Sequence, residues 1–242
     1  MKNTLVASTL VAALVGVTAS AQAQQQDPSD TYVTTGRAES GDYFTQRVPA
    51  PRRAFELTVG TGYTQGFGSF ERGVGMPSVV TPGLAVDVGG AYRIDPHWAI
   101  GVTGQYQELK AERASSARGL TPGLGVAYHI APYVRSDPWV QLGVGYRMLW
   151  ENLDAPVSTT VLSHGVELAK LTAGFDMRFS KDIAVAPVIG ADLNMFLWRR
   201  GGGDSVAIAD PRLNTFVFAG AQGRFDIGGT REGGATATTA RR

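Results

Sequence analysis

Between residues 53 and 227 apolar side chains recur at every second position, in runs of about ten residues separated by turn formers. The clearest run interleaves Val140, Leu142, Val144, Tyr146 and Met148 with Gln141, Gly143, Gly145 and Arg147. Neighbouring side chains of a strand point to opposite faces, so each run has one apolar and one polar face. Eight strands are expected: 54–65, 82–93, 98–109, 119–130, 139–150, 167–179, one carrying Val185, Ile189, Leu193, Met195 and Leu197, and 213–227. In the sixth, Val166 and Leu168 are out of phase with Leu171, Ala173 and Phe175, which predicts a bulge. In the eighth, Phe216 and Phe218 fall on the inward parity.

The connections alternate in character. Those at 95–97, 131–138 and 180–182 are tight or modest, whereas 66–81, 110–118, 151–165 and 199–211 are mostly longer and richer in Gly, Ser and charge. Short turns at one end and long loops at the other describe an up-and-down, all-β antiparallel barrel that crosses a membrane with both termini on the periplasmic side. Aromatic residues at the strand ends agree with two membrane rims, because an amphipathic ring suits the headgroup level. Phe55, Tyr92, Trp98, Tyr128, Trp139, Phe179 and Phe225 form the expected periplasmic girdle. Tyr63, Tyr106, Tyr146, Trp150 and Trp198 form the outer one.

The same parity sends Glu56, Asp87, Asp176, Asp192 and Asp226 inward, with Arg93, Arg147, Lys170, Arg178 and Arg224 as their counter-charges. Gln105, Gln107, His129, Asn194 and Gln222 add neutral polar groups. An eight-stranded barrel is just wide enough inside for side chains to fill, and buried charge there must be paired. A plugged lumen is therefore expected in place of an open pore. Turns centred on Lys181 and Pro96 would set Lys170 opposite Asp192 and Asp87 opposite Gln105.

The ends are different. Lys2, the apolar run from Leu5 to Val17 and Ala21-Gln22-Ala23 read as a cleaved export signal, 1–23. Residues 24–53, with Pro28, Pro49 and Pro51, read as a flexible periplasmic lead-in, and 228–242 as a flexible tail. Without Lys2 the chain holds 21 basic and 21 acidic residues, which gives no pull toward nucleic acid. It has no cysteine, which excludes disulfides, thiolate metal sites and a lipoprotein anchor.

Candidate chemistry is sparse. His97 lies in a turn, His129 faces inward and His164 sits beside Ser163 near Glu167. Neighbours on a strand point apart, so Ser163 and His164 do not make a nucleophile–base pair. Serine-hydrolase, zinc-protease and phosphate-loop motifs are missing, and no enzyme activity, metal or cofactor is expected. Gly201-Gly202-Gly203-Asp204 reads as a surface loop, and Arg199-Arg200 at the outer rim could contact lipid phosphates.

The export signal, strand count, turn asymmetry and closing Phe225-Asp226-Ile227 resemble the small outer-membrane barrels of the OmpA and OmpX kind, over about 54–227. The resemblance implies insertion by the outer-membrane assembly machinery, contact with membrane lipid and lipopolysaccharide, and a structural or surface-interaction role. A monomer is expected. The tail departs from barrels that end on an aromatic residue, and is too short for the peptidoglycan-binding domain of larger members. Alternatives are a narrow small-solute channel, a lipid A-modifying enzyme or a soluble periplasmic barrel.

Overall fold

A computed structural model describes residues 43–111, 116–153 and 159–231 of the chain. The expected signal, the lead-in before residue 43 and the tail beyond residue 231 lie outside the described residues. Eight long strands form the body: β1 (Ala54–Glu71), β2 (Val80–Arg93), β3 (Trp98–Ala111), β4 (Ser116–His129), β5 (Ser136–Leu153), β6 (Thr159–Arg178), β7 (Ile183–Gly201) and β8 (Leu213–Ile227). Each pairs antiparallel with the next, and β8 returns to β1, so the sheet closes into a barrel.

The register gives the barrel its dimensions. Stepping across every strand pair from Phe55 leads through Tyr92, Ile100, Val126, Leu142, Leu171, Ala191 and Val217 to Gln65, ten residues further along β1. With strands about 4.8 Å apart and a rise of about 3.3 Å per residue, this stagger means a tilt of about 40° and a radius of about 8 Å. Such a cylinder has room inside for side chains and little more.

Burial alternates along each wall strand. On β1, Phe55, Leu57, Val59 and Tyr63 are exposed while Ala54, Glu56 and Thr64 are buried. The outward rows Leu84, Val86 and Val88, then Ile100 and Val102, then Val140, Leu142 and Val144 continue round the barrel as exposed apolar side chains. An apolar band of this extent is foreign to a soluble surface and suits a lipid environment. No described helix is long and apolar enough to cross a membrane.

Both ends of the barrel differ from the expectation. At the loop end, strand pairing continues into segments expected to be loops: β1 runs on to Glu71, and β5 and β6 stay paired out to Leu153 and Thr159. Polarity stops alternating there because neither face meets lipid, while backbone pairing needs no particular side chain. At the turn end, the last residues of the expected flexible lead-in are ordered. Val48 and Ala50 donate to the carbonyls of Tyr133 and Pro132, and Arg52 exchanges hydrogen bonds with Thr230. Ala50 is buried under the barrel. The first tail residues are likewise held, with Arg231 reaching Asp182 at 2.6 Å.

The turns explain themselves locally. Asp95 Oδ1 accepts from the backbone N–H of His97 and Trp98, and Ser180 Oγ accepts from those of Asp182 and Ile183. Two interior glycines matter for packing. A Cβ on Gly174 would lie 2.4 Å from the Trp139 ring, and one on Gly190 would lie 2.3 Å from Phe218. Both large rings fit inside only because the facing wall is bare backbone.

Candidate functional site

Among the described residues the lumen gathers the densest set of polar and charged side chains, and it is layered. At the turn end Glu56 is the hub. Its carboxylate accepts from Arg93 Nε in a very short contact and from Arg224 Nη1 at 2.7 Å. Arg224 Nε also faces Asp176 Oδ2 at 3.0 Å, an ion pair without hydrogen-bond alignment. Arg178 donates to Asp226 at 2.7 Å. All six of these side chains are buried.

His129 joins this cluster. Its Nε2 lies 3.1 Å from Arg93 Nη2 and 3.0 Å from Arg224 Nη1, and its Nδ1 lies 2.7 Å from Asp137 Oδ2. Guanidinium groups only donate, so Nε2 must accept and Nδ1 carries the proton toward Asp137. His129, Asp137 and Asp176 lie close enough to hold a cation. Both ring nitrogens are already engaged, however, and two guanidiniums occupy the space, so the group reads as an ion-pair lattice.

Above it, inward Gly89, Gly101, Gly125, Ala91 and Thr58 leave a small cavity of about 30 Å³, room for a water or so. Next comes a polar chain. Gln105 donates to Asp87 at 2.9 Å, Gln107 donates to Gln105 at 2.8 Å, and Arg147 donates to Gln107 and, at 3.1 Å, to Asp192. Asn194 donates to the same Asp192 carboxylate, and the backbone N–H of Phe216 adds a bond of 2.9 Å. Arg147 lies 3.7 Å over the Phe216 ring, and Lys170 lies 5.1 Å over Phe218.

The loop end is apolar instead. Phe70, Val80, Leu109, Ala117, Leu149, Phe196 and Phe216 converge from the strands, and Met76 and Ile208 drop in from the β1–β2 and β7–β8 connections. Phe70 and Phe196 stack at 4.9 Å. The two connections are tied over this plug: Arg72 pairs with Asp210 at 3.7 Å and Arg212 N–H donates to the Phe70 carbonyl. Periodicity could not have flagged Met76 or Ile208, which lie outside the alternating runs.

The ten charged residues expected in the lumen, Glu56, Asp87, Arg93, Arg147, Lys170, Asp176, Arg178, Asp192, Arg224 and Asp226, all occupy inward positions. Lys170 pairs in register with Asp192, and Asp87 with Gln105. The ion pairs do not follow the register: Lys170 reaches Asp87 across the lumen at 3.7 Å, and Asp192 is held by Arg147. Two inward acids escape the parity reading. Asp137 sits where a turn was expected, and Glu167 is turned inward by the bulge at Leu168 and Ala169. The expected balance of inward charge is therefore tipped toward acid.

Eleven of the twelve residues expected in the aromatic rims lie on the outward face. Phe55, Tyr63, Tyr92, Trp98, Tyr106, Tyr146, Phe179, Trp198 and Phe225 are exposed, and Tyr128 and Trp150 are half-buried on the outward face. Phe55 packs edge-on against Tyr92, and Trp98 lies against Tyr128. Trp139 is not in the girdle. It is 1% exposed, inside the barrel, donating Nε1 to Asp176 at 2.8 Å beneath Arg224. Its odd-numbered parity, shared with Gln141 and Arg147, outweighs its place at a strand end. A register shift opposite His164 leaves Leu197 over, turning Trp198 outward and Arg199 inward onto Glu71.

Outside, His164 stacks on Trp198 and meets the Tyr146 hydroxyl at 2.5 Å. Its Nε2 lies 3.5 Å from Ser205 Oγ. A serine nucleophile needs a base oriented by an acid, and here a phenol stands in that place. Ser163 is buried inside the wall, on the opposite face from His164.

No protein-family model matches the chain, and no curated protein matches it in sequence. Solved structures match in backbone. Neisserial surface protein A is similar with a TM-score of 0.50 at 10% identity, over 71% of this chain and 96% of that one. OprG of Pseudomonas aeruginosa aligns at 0.46 and 12% identity, over 74% and 99% of the two chains. The N-terminal barrel domain of Pseudomonas aeruginosa OprF aligns at 0.44 and 12%, over 73% and 99%. At such identities the likeness is one of fold. By that fold, the chain is a closed, eight-stranded antiparallel β-barrel of the kind found in small outer-membrane proteins.

Proposed function

We propose that this barrel is a closed, non-enzymatic component of the outer membrane that acts through its loop-end surface, with both termini in the periplasm. The observation that carries the reading is a lumen filled at both ends, by the Glu56–Arg93–Arg224 lattice at one and the Phe70–Phe196 plug at the other. A barrel so filled offers its outer surface, not a passage. The asymmetry of its connections supports the orientation, since short turns face the periplasm in such barrels.

The partners that suit this surface are membrane lipid and lipopolysaccharide. Arg200 is exposed at the loop-end rim and, among the described residues, bonds through Nε to the Gly203 carbonyl, so its Nη groups suit a phosphate. Arg199, engaged with Glu71, is a poorer candidate. An epitope inserted after Gly203 should bind antibody on intact cells, whereas one appended to the C-terminus should bind only after permeabilisation. A C-terminal epitope accessible on intact cells would overturn the orientation. Mass spectra of lipid A with and without the protein should be identical, and a protein-dependent acyl change would overturn the non-enzymatic reading.

A further inference from the structure

Surface charge is shared unevenly between the two ends of the barrel. At the loop end Arg72, Arg118, Arg199 and Arg212 each have a carboxylate within 3.7 Å. At the turn end Arg47, Arg52, Arg53, Arg135, Lys181 and Arg231 are exposed or partly exposed, against Asp95 and Asp182 alone among the described residues. Arg231 takes up Asp182 at 2.6 Å, with Lys181 further off at 3.9 Å, and Asp95 caps its own turn. The turn-end surface is left with an excess of positive charge.

Half of those cations ride on the strap at 44–53, which contains no acid. The strap turns Ala50 and Pro51 in against the barrel and leaves its three arginines exposed. Arg53 has a φ of 55° and is the one residue other than glycine in the left-handed region among the described residues. Glycine would fit that backbone better, and what arginine offers there is an exposed charge beside Phe55. Lys181 stands in the same relation to Phe179. Phe55 and Phe179 are 63% and 61% exposed and mark where hydrocarbon ends. Phe44, also exposed, is held at the same end, its carbonyl accepting from Ser136 Oγ at 2.8 Å. Cations just beyond a ring of apolar side chains stand at headgroup level, within reach of phosphate.

We propose that the turn end is a binding site for anionic phospholipid. Arg47, Arg53 and Lys181 meet the phosphodiester headgroups, and the acyl chains lie along Phe44, Phe55 and Phe179. A zwitterionic lipid carries the same phosphate but adds an ammonium, which the surplus positive charge repels. A soluble acidic polymer would match the charge and leave the apolar ring unused. The site deepens the proposed contact with membrane lipid, and its assignment to the periplasmic leaflet rests on the orientation proposed above.

The test offers the folded full-length barrel in maltoside micelles phosphatidylglycerol or phosphatidylethanolamine with identical acyl chains, read by native mass spectrometry. Phosphatidylglycerol should be held at least about tenfold more tightly, since each cation near an anionic surface contributes about fivefold. Arg47→Gln, Arg53→Gly and Lys181→Gln together should reduce that preference to less than about twofold. All three sites are exposed and the glycine relieves the left-handed backbone, so the fold is kept. Arg72→Gln, Arg118→Gln and Arg212→Gln together remove as much charge from the loop end and should leave the preference unchanged. Heat-modifiable gel mobility shows that each variant is folded. Equal retention of both lipids, or a preference that survives in the turn-end variant, would overturn the site. Displacement of phosphatidylglycerol by poly-glutamate would also overturn it, marking a surface that reads charge alone. The micelle measurement does not depend on orientation, so a lost preference and a reversed epitope are separate failures.

Discussion

The two ends of the lumen are closed by opposite chemistry. At the turn end five strands contribute Glu56, Arg93, His129, Asp176 and Arg224 to a lattice of buried charges that depend on one another. At the loop end the same wall supplies phenylalanine, leucine and valine, and two connections add Met76 and Ile208. Charge pairing is geometrically demanding and fails sharply when one partner is lost. Apolar packing is tolerant and fails in proportion to the volume removed. The turn end therefore behaves as a fixed base, and the loop end as a cover whose pieces can vary.

The largest effect should come from the hub. Glu56→Ala leaves Arg93 and Arg224 buried without their shared carboxylate, and should cost about 3–5 kcal/mol in urea unfolding from lipid vesicles. A cost below about 1 kcal/mol would mean that water, not Glu56, neutralises those cations. Phe196→Ala removes half of the stacked pair in the plug and should cost about 3 kcal/mol by the same titration. If it matched or exceeded Glu56→Ala, the ranking of the two ends would be reversed.

A finer comparison sets an inward tryptophan against an outward one. Trp139→Phe loses the Nε1 bond to Asp176 and should cost about 1–2 kcal/mol, whereas Trp98→Phe at the rim should stay within about 0.5 kcal/mol. Equal values would return Trp139 to the girdle. The smallest effect should be at the tie over the plug. Arg72 is largely exposed where it meets Asp210, so Arg72→Ala should change stability by less than about 0.5 kcal/mol, and less again in high salt.

Much of this was legible because a strand has a period of two. Parity alone sends Glu56, Arg147 and Asp192 inward and Leu142 and Val144 outward, and tight turns fix that Lys170 stands beside Asp192. What parity cannot supply is the partner across the lumen. Lys170 finds Asp87 because the stagger of the whole barrel brings those strands face to face, a property of closure and not of neighbouring residues. Bulges hide the rest. The extra residue at Leu168 reverses the phase and so turns Glu167 inward, against the parity of Leu171 and Ala173. The apolar cover was illegible for another reason: Met76 and Ile208 are single hydrophobes in irregular segments, and only the folded chain shows that they share one cluster.

Closure of both ends is the central claim, and ion conduction tests it most directly. Purified barrel inserted into planar lipid bilayers should give no sustained single-channel steps under voltage in molar potassium chloride. Steady, ohmic steps of uniform size from the wild-type protein would show that ions pass the Glu56 lattice and the Phe70–Phe196 plug, and would contradict the account.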